Sequence, residues 1–329
     1  MRFGLFIPQG WRLDLAGIDT ADHWSVLHSL AKHADAGDTW DSIWVYDHFH
    51  TVPKPTDEAT HEAWTLMSAF GASTSRVRLG QMCTCMAYRN PAYLAKVAAT
   101  VDVISGGRVE MGIGAGWYEN EWRAFGYGFP SAGVRLAMLD EGVQIMRQLW
   151  ETGGASLAGE HYQVERAICR PLPLQEGGIP LWVAGGGEKK TLRIAAQHAA
   201  YTNFDGTPDV FAHKSSVLEG HCNDLGRDFS DITRSANYNV VIGADQAEVD
   251  QRLKWFGDHL RGIVGDARAD KAVSDGRSGP AVGTPEQIIE ALTSAQEMGM
   301  TYAICYFAEA AYDRSGIELF EREVAPALR

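Results

Sequence analysis

The sequence predicts an α/β fold, specifically a (β/α)8 barrel. Three observations lead there. About eight apolar runs of strand length punctuate the chain, and most are near-continuous rather than alternating, as in parallel strands buried on both faces. Helical patterns separate them. The first run leads into IPQGWR, so the GxGxxG of a doubly wound dinucleotide-binding sheet is absent from its usual place.

The strands are read at RFGLFI (2–7), SIWVYDH (42–48), VRLGQMCT (77–84), VEMGIGAG (109–116), PLWVAGG (180–186), AAYTNF (199–204), SANYNVVIG (235–243) and YAICYFA (302–308). Helices are read at 23–36, 63–75, 91–105, 135–151, 189–199 and 284–299, and IELFEREVAPAL closes the chain. Pro91 suits a first helical position and Gly106-Gly107 a helix end. Thr284-Pro285 gives the same start signal. Residues 244–282 are more polar and read as an insertion after strand seven, a candidate lid over the barrel mouth. The whole chain, 1–329, reads as one barrel domain.

A net charge of −13 disfavours nucleic acid and anionic membrane surfaces as partners. No window approaches the ~20 apolar residues of a membrane helix, and MRFGLFIPQG is too short for a signal core. The expected location is cytoplasmic. Five cysteines with no C-x-x-C pair read as reduced, packed thiols. No HExxH and no GxSxG appears, so neither metal-ligand spacing nor a nucleophile elbow is in view.

Barrel active sites lie at the C-terminal strand ends. Strand two ends in Asp47-His48, where His suits proton exchange near neutral pH; a buried polar pair satisfied by the backbone fits equally. Strand five runs into WVAGGGEKKTL, where three glycines, a helix start, Lys189 and Lys190 coincide as in an anion cradle. GIGAGWYENEW has G-x-G-x-G, whose glycines let a flat ring approach; Glu119 and Glu121 there read as helix N-terminal acids. A phosphate cradle, aromatics and no nucleophile point to a bound cofactor.

YDHF (46–49), LGQMCTCMAYRNPAYLAKVAATVDVISGGR (79–108), GIGAGWYENEWRAFG (112–126), PLWVAGGGEKKTLRIAAQHA (180–199) and VGTPEQIIEAL (282–292) together resemble the luciferase-like monooxygenase superfamily. GEKKTLR resembles its branch using the deazaflavin coenzyme F420. The resemblance implies a barrel, usually dimeric, hydride transfer with a small organic substrate, and His48 as proton donor or acceptor. It implies coenzyme contacts from Asp47, Met82, Cys83, Thr84, Ala115, Gly116 and Asn120, with a non-proline cis peptide near Met82-Cys83. Gly186, Gly187, Glu188, Lys190 and Thr191 would form the phosphate loop. Trp117 and Phe307 would line the substrate pocket. Sugar-phosphate dehydrogenases of that branch look to carry an acid where Trp117 stands, so His48 is expected to lack a carboxylate partner. An FMN-dependent monooxygenase is the alternative, and a non-catalytic flavin- or deazaflavin-binding protein a third reading.

Overall fold

The computed structural model describes residues 1–329. Its barrel strands are β1 Arg2–Phe6, β2 Ser42–Val45, β3 Arg78–Gln81, β4 Val109–Gly114, β5 Leu181–Ala184, β6 Tyr201–Asn203, β7 Thr233–Asn239 and β8 Met300–Tyr306. Neighbours run β3-β2-β1-β8-β7-β6-β5-β4, all parallel, and β4 pairs back to β3 through Leu79↔Val109 and Gly80↔Glu110. The ring is closed, as the alternation of apolar runs and helices predicts. β3 halts at Gln81 and resumes at Thr84–Cys85; between them the Met82–Cys83 peptide is cis, where the resemblance placed it.

The helices are α1 His23–Ala36, α2 Ala63–Ser73, α3 Pro91–Ser105, α4 Glu119–Ala124, α5 Ala132–Thr152, α6 Thr191–His198, α7 Pro208–Leu225, α8 Gln246–Val264, α9 Asp266–Arg277 and α10 Pro285–Glu297. Their ends follow local chemistry. Asn90 caps α3 by accepting from the N–H of Ala92 and Tyr93, with Pro91 at the first turn. Thr284 and Gln287 form a reciprocal capping box at α10. The Asp35 carboxylate at the end of α1 accepts from the N–H of Ser75, Arg76 and Val77, tying that helix to the start of β3.

One cluster of 67 buried apolar residues, from Phe3 to Leu328, fills the space between barrel and helices. Inside the barrel a second cluster is aromatic: Phe6, Trp44, Tyr46, Trp182, Tyr302 and Tyr306. Large rings need small neighbours. A Cβ on Gly80 would fall 2.3 Å from Trp44.

Residues 244–282 hold two helices, α8 and α9, before the short strand Val282–Gly283, which pairs with Val241–Ile242. Leu260, Val264 and Ala269 pack on Leu13 and Ala16 of the β1–α1 loop. The insertion therefore leans over one side of the barrel mouth. Besides α8 and α9 of the insertion, α7 and an antiparallel hairpin of Gly154–Ala158 with Gln163–Ile168 have no counterpart in the sequence reading. No helix is long and apolar enough to cross a membrane.

Candidate active site

The D-H pair sits where β2 leaves the barrel, and its two members do different work. Asp47 is buried. Arg89 grips both its oxygens at 2.7 and 2.9 Å, and the Cys85 N–H donates to one of them at 2.9 Å. Asp47 thus locks the β2 end to the β3 extension. Removing either partner of such a buried pair costs about 3–5 kcal/mol.

His48 has the partner carboxylate that was expected to be missing. Its Nδ1 lies 2.8 Å from Glu121 Oε2 on α4. Glu121 is fully buried and also accepts from Phe49 N–H (2.7 Å), His50 N–H (2.8 Å) and the Tyr88 hydroxyl (3.0 Å). Four donors converge on the acceptor positions of one carboxylate. Burial, reinforced by the charge of Glu121, pushes the Tyr88 phenol far up, so it stays protonated and donates. Glu121 is acceptor only, so Nδ1 of His48 carries a proton and Nε2 is left without a partner in the chain. Trp11 stacks on the imidazole, centroids 4.1 Å apart, while Trp117 and Tyr118 meet it edge-on at 5.9 Å.

Glu121 was read as a helix N-terminal acid. It is one, but it points inward. The E-x-E pair on α4 splits: Glu119 pairs with Arg123 on the surface. Alternation of a charged and a buried acid, followed by Trp122, was the available signal.

The mouth holds a cavity of about 550 Å³ lined by Phe6, Trp11, Arg12, Tyr46, Trp117 and Asn239, among others. Of the residues singled out from the sequence, only Trp117 lines it. Met82 packs in the inner aromatic cluster, and buried Thr84 donates to Gln81 Oε1 at 2.8 Å. Cys83 is half-buried, and burial pushes its thiol up to about 12, so it stays neutral at pH 7. Ala115 and Gly116 end β4 half-exposed, and Asn120 is exposed on α4. Gly116 has φ +76°, and a Cβ there would fall 2.5 Å from Cys85 Sγ. Phe307 is not at the site. It is buried between Trp40 and Phe320 in the outer core, because the side chain after β8 faces the helices.

The glycine loop lies across the mouth. Gly185 has φ +114° and Gly186 and Gly187 carry no side chain, so the loop bares its backbone before α6. Lys189 and Lys190 are exposed; Lys190 Nζ reaches Gly133 O at 3.5 Å. The Glu188 carboxylate is engaged outward by Lys214 (2.6 Å) and His213 (2.9 Å) rather than facing the loop. Thr191 is the buried first residue of α6. A bare backbone, a helix start and lysines suit an anionic group.

The comparisons bear on what this mouth holds. A family model described as luciferase-like monooxygenase matches residues 1–302. An F420-dependent glucose-6-phosphate dehydrogenase of Rhodococcus hoagii (strain 103S) is 28% identical over 308 residues, 88% of this chain and 89% of that protein. Pyrimidine monooxygenase RutA of Stutzerimonas stutzeri (strain A1501) is 32% identical over 200 residues, 59% of this chain; the match spans about half of that protein, 53%. Among solved structures, an F420-dependent secondary alcohol dehydrogenase in complex with an F420-acetone adduct superposes with TM-score 0.79 at 23% identity, covering 100% of this chain and 99% of that one. Monooxygenase RslO1 from Streptomyces bottropensis does so with TM-score 0.80 at 21% identity, covering 100% of both chains. Those two likenesses speak for the fold.

Proposed function

Because the chain belongs to the luciferase-like monooxygenase family, and is thus an enzyme of an oxidoreductase family, we propose that it moves a hydride between coenzyme F420 and a small organic substrate. One observation carries the chemical half: Glu121 fixes Nδ1 of His48 at 2.8 Å and leaves Nε2 without a partner in the chain. The coenzyme half is supported by the F420-dependent relative aligned along 88% of this chain.

The residues present suit the coenzyme. Gly114 and Gly116 let Cys83 and Cys85 pack against the end of β4, which holds the broken β3 edge beside it. Gly186, Gly187 and the start of α6, with Lys190 beside them, would hold its phosphate. A bound deazaflavin supplies two-electron hydride chemistry. His48 takes or gives the matching proton at Nε2, and Glu121 stabilises the imidazolium when it forms. Arg89 and Asp47 keep the β2 and β3 ends in place beneath it. Trp11, stacked on the imidazole, holds its plane and limits water on that face.

A second reading, monooxygenation with reduced FMN and O2, draws on RutA, which is more identical but over only 59% of the chain. Turnover separates the two. Incubated without oxygen with reduced F420 and a panel of ketones, enones and imines, the enzyme should oxidise the coenzyme, and His48→Ala should slow this by roughly 10²–10⁴. Turnover only with reduced FMN and O2 would establish the second reading. Binding without turnover, unchanged by His48→Ala, would leave a carrier protein.

A further inference from the structure

The mouth cavity contains a guanidinium that no carboxylate of the chain hydrogen-bonds. Arg12, on the loop after β1, lines three adjoining cavities of about 550, 280 and 360 Å³, between the barrel mouth and the α8–α9 insertion. Its guanidinium lies 3.9 Å over the Tyr306 ring and makes one hydrogen bond, from Nη1 to Asn239 Oδ1 at 2.7 Å. A guanidinium has five N–H donors. Asp14 is near enough to attract the guanidinium but gives it no hydrogen bond: it accepts from Gln9 N–H (3.3 Å), Gly10 N–H (2.7 Å) and the Tyr306 hydroxyl (3.1 Å).

Other inward-facing arginines are handled differently. Arg89 pairs with Asp47 and Glu62, and Arg252 with Glu248 and Glu309. Arg108 has no acid but gives its donors to Ser105, Thr74, Val77 and Gly71. Arg12 alone of these keeps most donors free, and it keeps them in a cavity.

In the mouth cavity itself its neighbours include no carboxylate; Asp275 and Glu309 line the adjoining cavities toward the insertion. Trp11 Nε1 is buried without a hydrogen-bond partner. The side-chain oxygens of Asn237 and Asn239 are taken by Asn203 Nδ2 and Arg12, which turns both amide NH2 groups to the remaining space. Free N–H donors on a cation, with further donors beside it, match a group that only accepts, and a carboxylate is such a group. The rest of the lining is aromatic and aliphatic, including Phe6, Val52 and Trp117.

We infer that the substrate is a small organic carboxylate with an apolar or aromatic body, anchored through Arg12 in the cavity whose wall includes the Trp11 that stacks on His48. This rests on the reading of the mouth as the site of hydride transfer, and it adds the substrate class. Arg12 would fix which end of the molecule faces the imidazole.

The test uses matched acids and primary amides: benzoate and benzamide, cinnamate and cinnamamide, hexanoate and hexanamide. Binding is measured by calorimetry on the full chain, with and without saturating F420. At least one acid should bind tenfold or more tighter than its amide. Arg12→Met should abolish that preference, Arg12→Lys should retain part of it, and the F420 dissociation constant should stay within about threefold in both variants. The inference is overturned if no acid in the series is preferred over its amide. It is equally overturned if the preference survives Arg12→Met, or if F420 displaces the acids and loses affinity in Arg12→Met, which would give the cation to the coenzyme. Failure of wild-type protein to bind F420 would sink the coenzyme reading instead, and the acid preference of the coenzyme-free protein is read independently of it.

Discussion

At the scale of single residues, the site is decided by which nitrogen of His48 carries the proton. Glu121 settles this by accepting at Nδ1. A glutamine there can accept on one oxygen only, so its NH2 must oppose either the Phe49 and His50 N–H groups or the His48–Tyr88 pair. Glu121→Gln should lower turnover by roughly 10²–10³ while coenzyme affinity changes little. The pH profile of turnover should shift as well, which a purely structural loss would not cause. Gly116 is the second sensitive position. Its φ of +76° and the 2.5 Å approach to Cys85 Sγ leave no room for a methyl group. Gly116→Ala should cost about 1–3 kcal/mol of stability and weaken coenzyme binding at least tenfold, read by denaturation and titration. Sequence reading singled out His48 and the glycines because of their residue types. It assigned Glu121 to the helix surface, since an acid in a first helical turn has a sufficient local explanation. Arg12 passed unremarked because its meaning lies in what does not pair with it, and only three-dimensional neighbours reveal that.

At the scale of elements, loops before strands are held by side chains that replace missing backbone partners. Asp35 accepts three successive N–H groups, from Ser75, Arg76 and Val77. Burial pushes its carboxyl up, but these hydrogen bonds outweigh that and hold it at about 2. A folded-state value below the unfolded one means stability that is full above about pH 4 and lost as pH falls toward 2. Asp35→Asn should therefore cost about 1–3 kcal/mol at pH 7. The gap to wild type should close between about pH 4 and 2, as followed by thermal melts. All eight barrel strands were legible, because strands buried on both faces must be continuously apolar. α7 was not: its turns carry His, Lys, Ser and Asp, and only Phe211, Leu218 and Cys222 anchor it among apolar side chains. The Gly154–Ala158 hairpin is largely exposed and offers no apolar run. The insertion read as polar chain because α8 and α9 bury one narrow stripe, Leu260, Val264 and Ala269, against a loop far away in sequence.

For the whole molecule, the barrel separates what holds it together from what it does. The outer core lies between strands and helices, and the site lies above the inner aromatic cluster at the C-terminal strand ends. Phe307 belongs to the first class, although it follows a site-bearing strand. Phe307→Ala should cost roughly 3–5 kcal/mol in chemical denaturation yet leave coenzyme affinity within about twofold. The central claim concerns the other class: that the mouth, from Gly185 to His48, takes a deazaflavin. It is tested most directly by titrating the purified protein with oxidised F420 and, separately, with FMN, following fluorescence. Saturable binding of F420 at least tenfold tighter than FMN is the predicted result. Tighter binding of FMN, or no saturable binding of F420, would contradict it.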